Sequence, residues 1–139
     1  MDIRPIFEHE LEDVYPVVAE LRTHLDRDDF VIAVRRQAAL GYELWGAFEG
    51  RALVGAIGFR RAHTLARGAH LHVDDLVVTE PHKAGGVGRA LVEQAEKEAR
   101  RHGYDSVYLD SREDALPFYY GLGYTPHTST LLRKKLVAG

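Results

Sequence analysis

Apolar and polar positions divide the chain into short segments of two periods. Ile3 to Ile6 reads as a short strand. From Phe7 to Leu25, the residues Leu11, Val14, Val18, Leu21 and Leu25 recur at helical spacing on one side, with Pro16 as a kink or a second start. Asp26-Arg27-Asp28-Asp29 is a polar break rich in capping residues, and it leads a helix from Phe30 to Leu40 closed by Gly41. Two β segments, Glu43 to Phe48 and Leu53 to Arg60, flank Glu49-Gly50-Arg51, a hairpin turn with glycine. Thr64 to Gly68 is a loop, and Ala69 to Thr79 is a long central strand. Val87 to His102 is an amphipathic helix with Val87, Leu91, Ala95 and Ala99 on one face. Ser106 to Asp110 is a strand, Glu113 to Leu122 a short helix, and Thr128 to Leu136 a last strand that ends basic.

The predicted order is β–α–α–β–β–β–α–β–α–β. Strand Ala69–Thr79, helix Val87–His102 and strand Ser106–Asp110 form a βαβ unit, so these two strands run parallel. The hairpins around them are antiparallel. The pattern implies a mixed, twisted α/β sheet with helices on both faces, in one domain spanning 1–139. No repeat, linker or low-complexity stretch divides it.

Composition narrows the function classes. At 139 residues and 45% apolar, the chain supports one ordinary core. A net charge of −3 argues against nucleic acid or an anionic membrane as main partner. Cysteine is absent, which excludes disulfides, thiolate zinc and a cysteine nucleophile. No apolar run reaches membrane-spanning length, and Met1-Asp2-Ile3-Arg4-Pro5 starts no signal-peptide core. The expectation is a cytoplasmic protein, monomeric or homodimeric.

The segment from Val73 to Leu91 carries the most chemistry. A β-branched apolar run stops at Glu80-Pro81, then Gly85, Gly86 and Gly88 precede an amphipathic helix. A strand, a glycine-rich turn and a helix start make an anion site. Glycines let the backbone approach a ligand, and the free N–H groups and dipole of the first helical turn favour negative charge. Lys83 adds a cation at its mouth. The natural ligand is a phosphate or pyrophosphate. No Gly-Lys-Ser/Thr follows, so this is not a Walker A loop, and it lacks the glycine spacing and later acid of a dinucleotide fingerprint.

Lys83-x-x-Gly86-x-Gly88 resembles the pyrophosphate arm of the GNAT acyltransferases, Arg/Gln-x-x-Gly-x-Gly/Ala. Ala115-Leu116-Pro117-Phe118-Tyr119-Tyr120-Gly121-Leu122-Gly123-Tyr124 resembles a late signature of the same family, Ala-x-x-Phe-Tyr-x-x-x-Gly-Phe/Tyr. One helix and one strand lie between the two, in the family's order. The resemblance covers roughly Leu53 to Tyr124 with specific motifs and the rest by element order. It implies an α/β (α+β) fold with a GNAT-type mixed, twisted central sheet of six to seven strands and about four helices. Its parallel central strands would splay apart around an acyl-coenzyme A.

The same resemblance implies the site. Lys83, Ala84, Gly85, Gly86, Val87 and Gly88 would bind the pyrophosphate of acetyl-CoA, chiefly through backbone N–H groups. Lys83 departs from the usual arginine or glutamine and gives up bidentate contact. Leu76, Val77 and Val78 match the positions where the pantetheine arm pairs like an extra strand, and a free N–H there would bond the thioester oxygen. Tyr119 is the candidate general acid facing the thiolate, with Tyr120 sent elsewhere by helical direction. Arg112 stands where many members carry a cofactor-touching asparagine; Arg112 or Arg67 are candidates for the nucleotide 3′-phosphate.

Asp75 and then Asp74 are the candidate bases, with a water relay or a structural ion pair as alternatives. Adjacent strand residues face opposite sides, so only one of them lines the cleft, and Asp75 shares a face with Val73 and Val77 unless a bulge intervenes. His70-x-His72 falls on one strand face, but two histidines without a third ligand do not make a metal site, and none is expected. The expected activity is acetyl transfer to a primary amine, of a small molecule or a peptide, by direct attack in a ternary complex. A non-catalytic acyl-CoA-binding domain on the same fold and an unrelated phosphate-binding module are the alternatives. The amine pocket is expected from the N-terminal helices and the loop Ala62 to Gly68.

Overall fold

The computed structural model describes residues 1–137. Five strands form one sheet in the order β1-β2-β3-β4-β5. They are β1 (Asp2–Pro5), β2 (Tyr42–Glu49), β3 (Ala52–Thr64), β4 (Gly68–Val78) and β5 (Val107–Leu109). The first three neighbours pair antiparallel, and β4 with β5 pairs parallel. The helices are α1 (Leu11–Val18), α2 (Arg27–Ala38), α3 (Val87–Arg101) and α4 (Leu116–Gly121). The βαβ unit β4–α3–β5 has the expected parallel sense.

Each face of the sheet carries its own core. On one, Leu91, Val92, Ala95 and Ala99 of α3 pack on Trp45, Ile57, Phe59, Leu71 and Val73. On the other, Leu11, Val14 and Val18 of α1 and Phe30 of α2 cover Tyr42, Leu44, Ala56 and Val77. Fully burying an apolar side chain of this size stabilises by about 1.5–3 kcal/mol, so both layers hold the sheet firmly.

Three sequence expectations differ from this arrangement. The helix expected from Phe7 to Leu25 is a 3₁₀ turn at Glu8–Glu10 followed by α1, which ends at Val18. Pro16 sits inside α1 without an N–H, which frees the Glu12 carbonyl; Arg27 Nη1 donates to that oxygen at 3.4 Å. The chain then runs through turns, fixed by the Tyr15 hydroxyl donating to the Leu25 carbonyl at 2.7 Å. The loop expected around Ala62 is instead paired, since β3 continues to Thr64 and turns tightly into β4 at Gly68.

The third difference is the strand expected at Thr128 to Leu136, which does not form. The sheet therefore has five strands among the described residues, not six to seven. The reason is physical: a strand exists only through a paired neighbour, and no backbone ladder reaches this segment. Nor does its pattern offer a clean face, because Leu131-Leu132 is followed by Arg133-Lys134-Lys135. No helix among the described residues is long and apolar enough to cross a membrane.

Candidate active site

β4 and β5 pair only over Leu71–Val73 and Val107–Leu109. Beyond Val73, β4 continues to Val78 bonded to β3 alone. Thr79 N–H donates to Val54 O at 2.9 Å, so strand alternation turns the N–H groups of Val78 and Leu76 the other way, into the gap. Val77 presents its backbone to β3 and its side chain to the α1/α2 core. Pairing of the two parallel strands ends at Val73, and two of the three expected arm-pairing positions lie on the β4 edge left unpaired beyond it.

The edge runs directly into the glycine turn. A 3₁₀ turn at Glu80–His82 is followed by Gly86, whose φ of +81° is left-handed and makes it the N-cap of α3. A side chain there is strained whatever the space. Ala90 N–H is the first of α3 to bond back, to Gly86 O at 3.1 Å. The N–H groups of Val87, Gly88 and Arg89 have no acceptor among the described residues. Lys83 lies at the mouth, with its ammonium 2.6 Å from Glu80. Gly85 and Ala84 complete an open loop.

Gly88 admits a neighbour. A Cβ on it would lie 3.2 Å from Phe118 Cζ, so α4 rests against the first turn of α3. That contact seats Tyr119, which is 9% exposed and packs in the α3 core, while Tyr120 is 48% exposed. The two tyrosines differ in burial, although both border the groove beside β5. Burial raises the Tyr119 pKa above the usual value, with the Arg112 charge opposing. Arg112 is exposed and 3.6 Å from Asp114. Tyr124 donates to Glu96 at 2.8 Å and ties the end of this segment to α3.

The acid pair departs from the sequence expectation. Asp75 pairs with Gly58 and Val73 with Phe59, which leaves Asp74 as an extra residue in β4. This bulge reverses the side-chain parity, so Val73 joins the α3 core and Val77 the α1/α2 core. Asp75 and Val73 therefore do not share a face. Both acids, rather than one, line a cavity of about 430 Å³ under α1 and α2. Val18, Leu25, Phe30 and Val34 give it apolar walls, and Arg22 and His24 a polar rim. The N-terminal helices supply the walls as expected, but no residue from Ala62 to Gly68 does.

The two acids have different partners. Asp75 accepts from Arg22 Nε at 2.9 Å on one oxygen and from the Tyr42 hydroxyl at 2.7 Å on the other. Asp74 accepts from Arg60 Nε at 2.9 Å on Oδ2, and its Oδ1 lies 3.9 Å from His72 Nε2. His72 also stands 3.4 Å from Asp110. Its pKa is lowered by burial and then by Arg60. Burial first, then the Asp75 charge, raises the Tyr42 pKa well above the ordinary value. Gly58 makes that hydroxyl position possible, since a Cβ there would collide with the Tyr42 ring and oxygen. Arg22, Tyr42 and Gly58 were not singled out by sequence. Their only signal was a glycine inside an otherwise apolar strand.

His70 is turned to another role, with Nδ1 2.9 Å from Gly68 O and its ring on Tyr108. Arg67 lies over the far neighbour in that stack, with its guanidinium 4.6 Å from the Tyr108 centroid.

The model of the acetyltransferase (GNAT) domain family matches residues 26–138. The uncharacterized N-acetyltransferase YhdJ of Bacillus subtilis is 35% identical over 133 residues, covering 90% of this chain and 91% of that one. A crystal structure of a Trypanosoma brucei acetyltransferase superposes with a TM-score of 0.82 at 25% identity, over 97% of this chain and 99% of the other. A predicted acetyltransferase of Clostridium acetobutylicum, solved with acetyl-CoA, shares the fold at 10% identity, with a TM-score of 0.79 over 96% and 95% of the chains. The chain belongs to the GNAT acetyltransferase family.

Proposed function

We propose that the protein moves an acetyl group from acetyl-CoA to a primary amine, by direct attack of the amine in a ternary complex. The observation that carries this reading is the unpaired edge of β4 at Leu76 and Val78, which leads straight into the free N–H groups of the glycine turn. Acetyl-CoA, when bound, supplies a thioester carbon open to attack and a thiol leaving group.

The residues fit that group. Lys83, Ala84, Gly85, Gly86, Val87 and Gly88 form the pyrophosphate cradle; the free N–H groups of Val87 and Gly88 are its donors, the Gly85 and Lys83 N–H groups bond back to the His82 and Glu80 carbonyls, and the Lys83 ammonium would exchange Glu80 for phosphate. The N–H groups of Leu76 and Val78 pair with the extended arm, and one of them steadies charge on an acyl oxygen. Burial keeps Tyr119 protonated through neutral pH, so its hydroxyl holds a proton for a departing sulfur. Arg112, exposed beside Asp114, is free to turn toward the nucleotide.

The amine enters the cavity under α1 and α2, where two carboxylates attract an ammonium and the walls accept an apolar body. Asp74 is the better base of the two. Both oxygens of Asp75 already accept strong donors, whereas Asp74 Oδ1 has only a distant His72. Burial favours the neutral form of His72, so it adds no permanent cation beside that oxygen. Asp75 instead fixes Arg22 and Tyr42 as the cavity wall.

The test combines thermal shift with acetyl-CoA and thiol release over an amine panel. Asp74→Asn is expected to lower kcat by about 10²-fold or more and to leave the acetyl-CoA shift intact. A shift without thiol release from any amine would favour the non-catalytic acyl-CoA-binding reading. No shift at millimolar acetyl-CoA would overturn both.

A further inference from the structure

We infer that the amine taken at this site is a primary monoamine carried on an apolar, uncharged ring body, and that amino acids, sugar phosphates and polyamines are refused. This acceptor class rests on the acetyl-transfer reading above. The charge, the walls and the size of the cavity under α1 and α2 all favour it.

Charge sets how many ammonium groups the cavity takes. Two carboxylates, Asp74 and Asp75, face one guanidinium, Arg22, so with His24 neutral the lining carries a single negative charge. Arg60 holds Asp74 from outside that lining, with its side chain half in water, where its field is screened. One ammonium completes the balance. A second would sit among apolar walls with no acid left to it, since both Asp75 oxygens already accept donors. A carboxylate or phosphate fares worse. Arg22 is engaged with Asp75 Oδ1 and the Asp74 carbonyl, so an anion would be buried beside two acids without a cation of its own.

The remaining wall offers a polar body little. Buried Leu44, Ala56 and Val77 line the cavity from the sheet, and Val18 and Phe30 line it from the helices. The Tyr42 hydroxyl is turned to Asp75, and His24 and Gln37 are exposed. A sugar would leave hydroxyls there without partners, whereas a hydrocarbon body gains by leaving water. Two small side chains make the room. With only alanine at position 56 on the sheet and at position 33 on α2, about 430 Å³ stays open. An apolar cavity of about 150 Å³ holds one benzene ring, so this one has space for a ring body and a short alkyl link to the amine. Ala33 is only half-buried, so it can be enlarged without disturbing the core.

The test measures thiol release from acetyl-CoA, a readout without protein background because the chain has no cysteine. Phenethylamine is compared at one pH with phenylalanine, glucosamine 6-phosphate, putrescine and a lysine peptide with a blocked N-terminus. Its kcat/KM is expected to exceed that of each of the others by about 10²-fold or more. A comparable or higher kcat/KM for any of them overturns the inference and leaves acetyl transfer in place. Release from none of the five overturns the inference; no release from any wider amine panel overturns the acetyl-transfer reading with it. The seating of the body is tested separately. Ala33→Leu and Ala33→Phe fill the cavity in two steps. Each is expected to lower the ratio of kcat/KM for phenethylamine to that for propylamine, by about 10-fold or more in the larger variant. An unchanged ratio in both variants places the body elsewhere and overturns the inference.

Discussion

Replacing Tyr42 with phenylalanine isolates the contact that separates the two acids. The change removes one oxygen and keeps a buried ring. That oxygen donates to Asp75 at 2.7 Å, and a hydrogen bond to an ionised group is worth about 1.5–3 kcal/mol. The Asp75 side chain is 20% exposed, so water can restore part of the loss, and Arg22 stays on the other oxygen. The low end, about 1.5 kcal/mol, is therefore expected. For a chain of 139 residues this corresponds to a fall of roughly 5–7 °C in Tm. Asp75→Ala and the double variant complete a cycle by calorimetry, with a coupling of about 1–1.5 kcal/mol expected. A coupling below about 0.5 kcal/mol, within ordinary additivity error, would refute the bond as a structural tie. The pH dependence gives an independent check. The folded pKa of Tyr42 is raised, so above about pH 10 the unfolded chain loses this proton while the folded chain keeps it. Its contribution is complete below that pH and declines above it. Tyr42→Phe must flatten the alkaline fall in stability.

Gly86→Asp is expected to abolish the acetyl-CoA thermal shift, because it strains a φ of +81° and sets a carboxylate where phosphate would sit; a retained shift of about 2.7 kcal/mol at 100 times Kd would contradict the assignment. Tyr119→Phe is expected to lower kcat by about 10²-fold or more at unchanged acetyl-CoA affinity, with Tyr120→Phe near wild type in a steady-state assay. Equal losses would remove Tyr119 from the acid role. His72 has a lowered folded pKa, so its contribution to stability is present above about pH 6.5 and is lost as pH falls below it. Denaturant titrations of His72→Gln should lose that part of the acid limb.

The glycine turn proposed for the phosphate was legible because its determinants are contiguous. Gly86 and Gly88 act through backbone geometry within one turn, and Tyr119 is placed by the α4 that carries it. The helix boundaries were less so, because Pro16 has to be weighed against an unbroken run of apolar spacing from Leu11 to Leu25. The last strand was misjudged for a different reason. Residues 128–136 have strand composition, but a strand is a relation between two segments, and composition alone does not supply the second.

The amine side resisted for the same reason at a finer scale. Alternation assigns Asp74 and Asp75 to opposite faces, and only the pairing of β4 with β3 reveals that Asp74 is the extra residue. One inserted residue puts two carboxylates in one cavity. Left together in low dielectric they would repel, so each needs its own cation. The fold supplies Arg22 to Asp75 from 53 residues away and Arg60 to Asp74 from the neighbouring strand. The two ties are unequal. Arg22 Nη2 also donates to the Asp74 carbonyl at 2.9 Å and pins the bulged backbone, and Tyr42 closes the second Asp75 oxygen. What remains open is Asp74 Oδ1. The bulge thus places the candidate base within the same few residues of β4 where β5 stops pairing. A variant that deletes Asp74 should restore regular alternation, keep Asp75 on the α1/α2 face and abolish acetyl transfer. Activity retained in that variant would show that Asp74 is not the base and would return the role to Asp75 or to solvent.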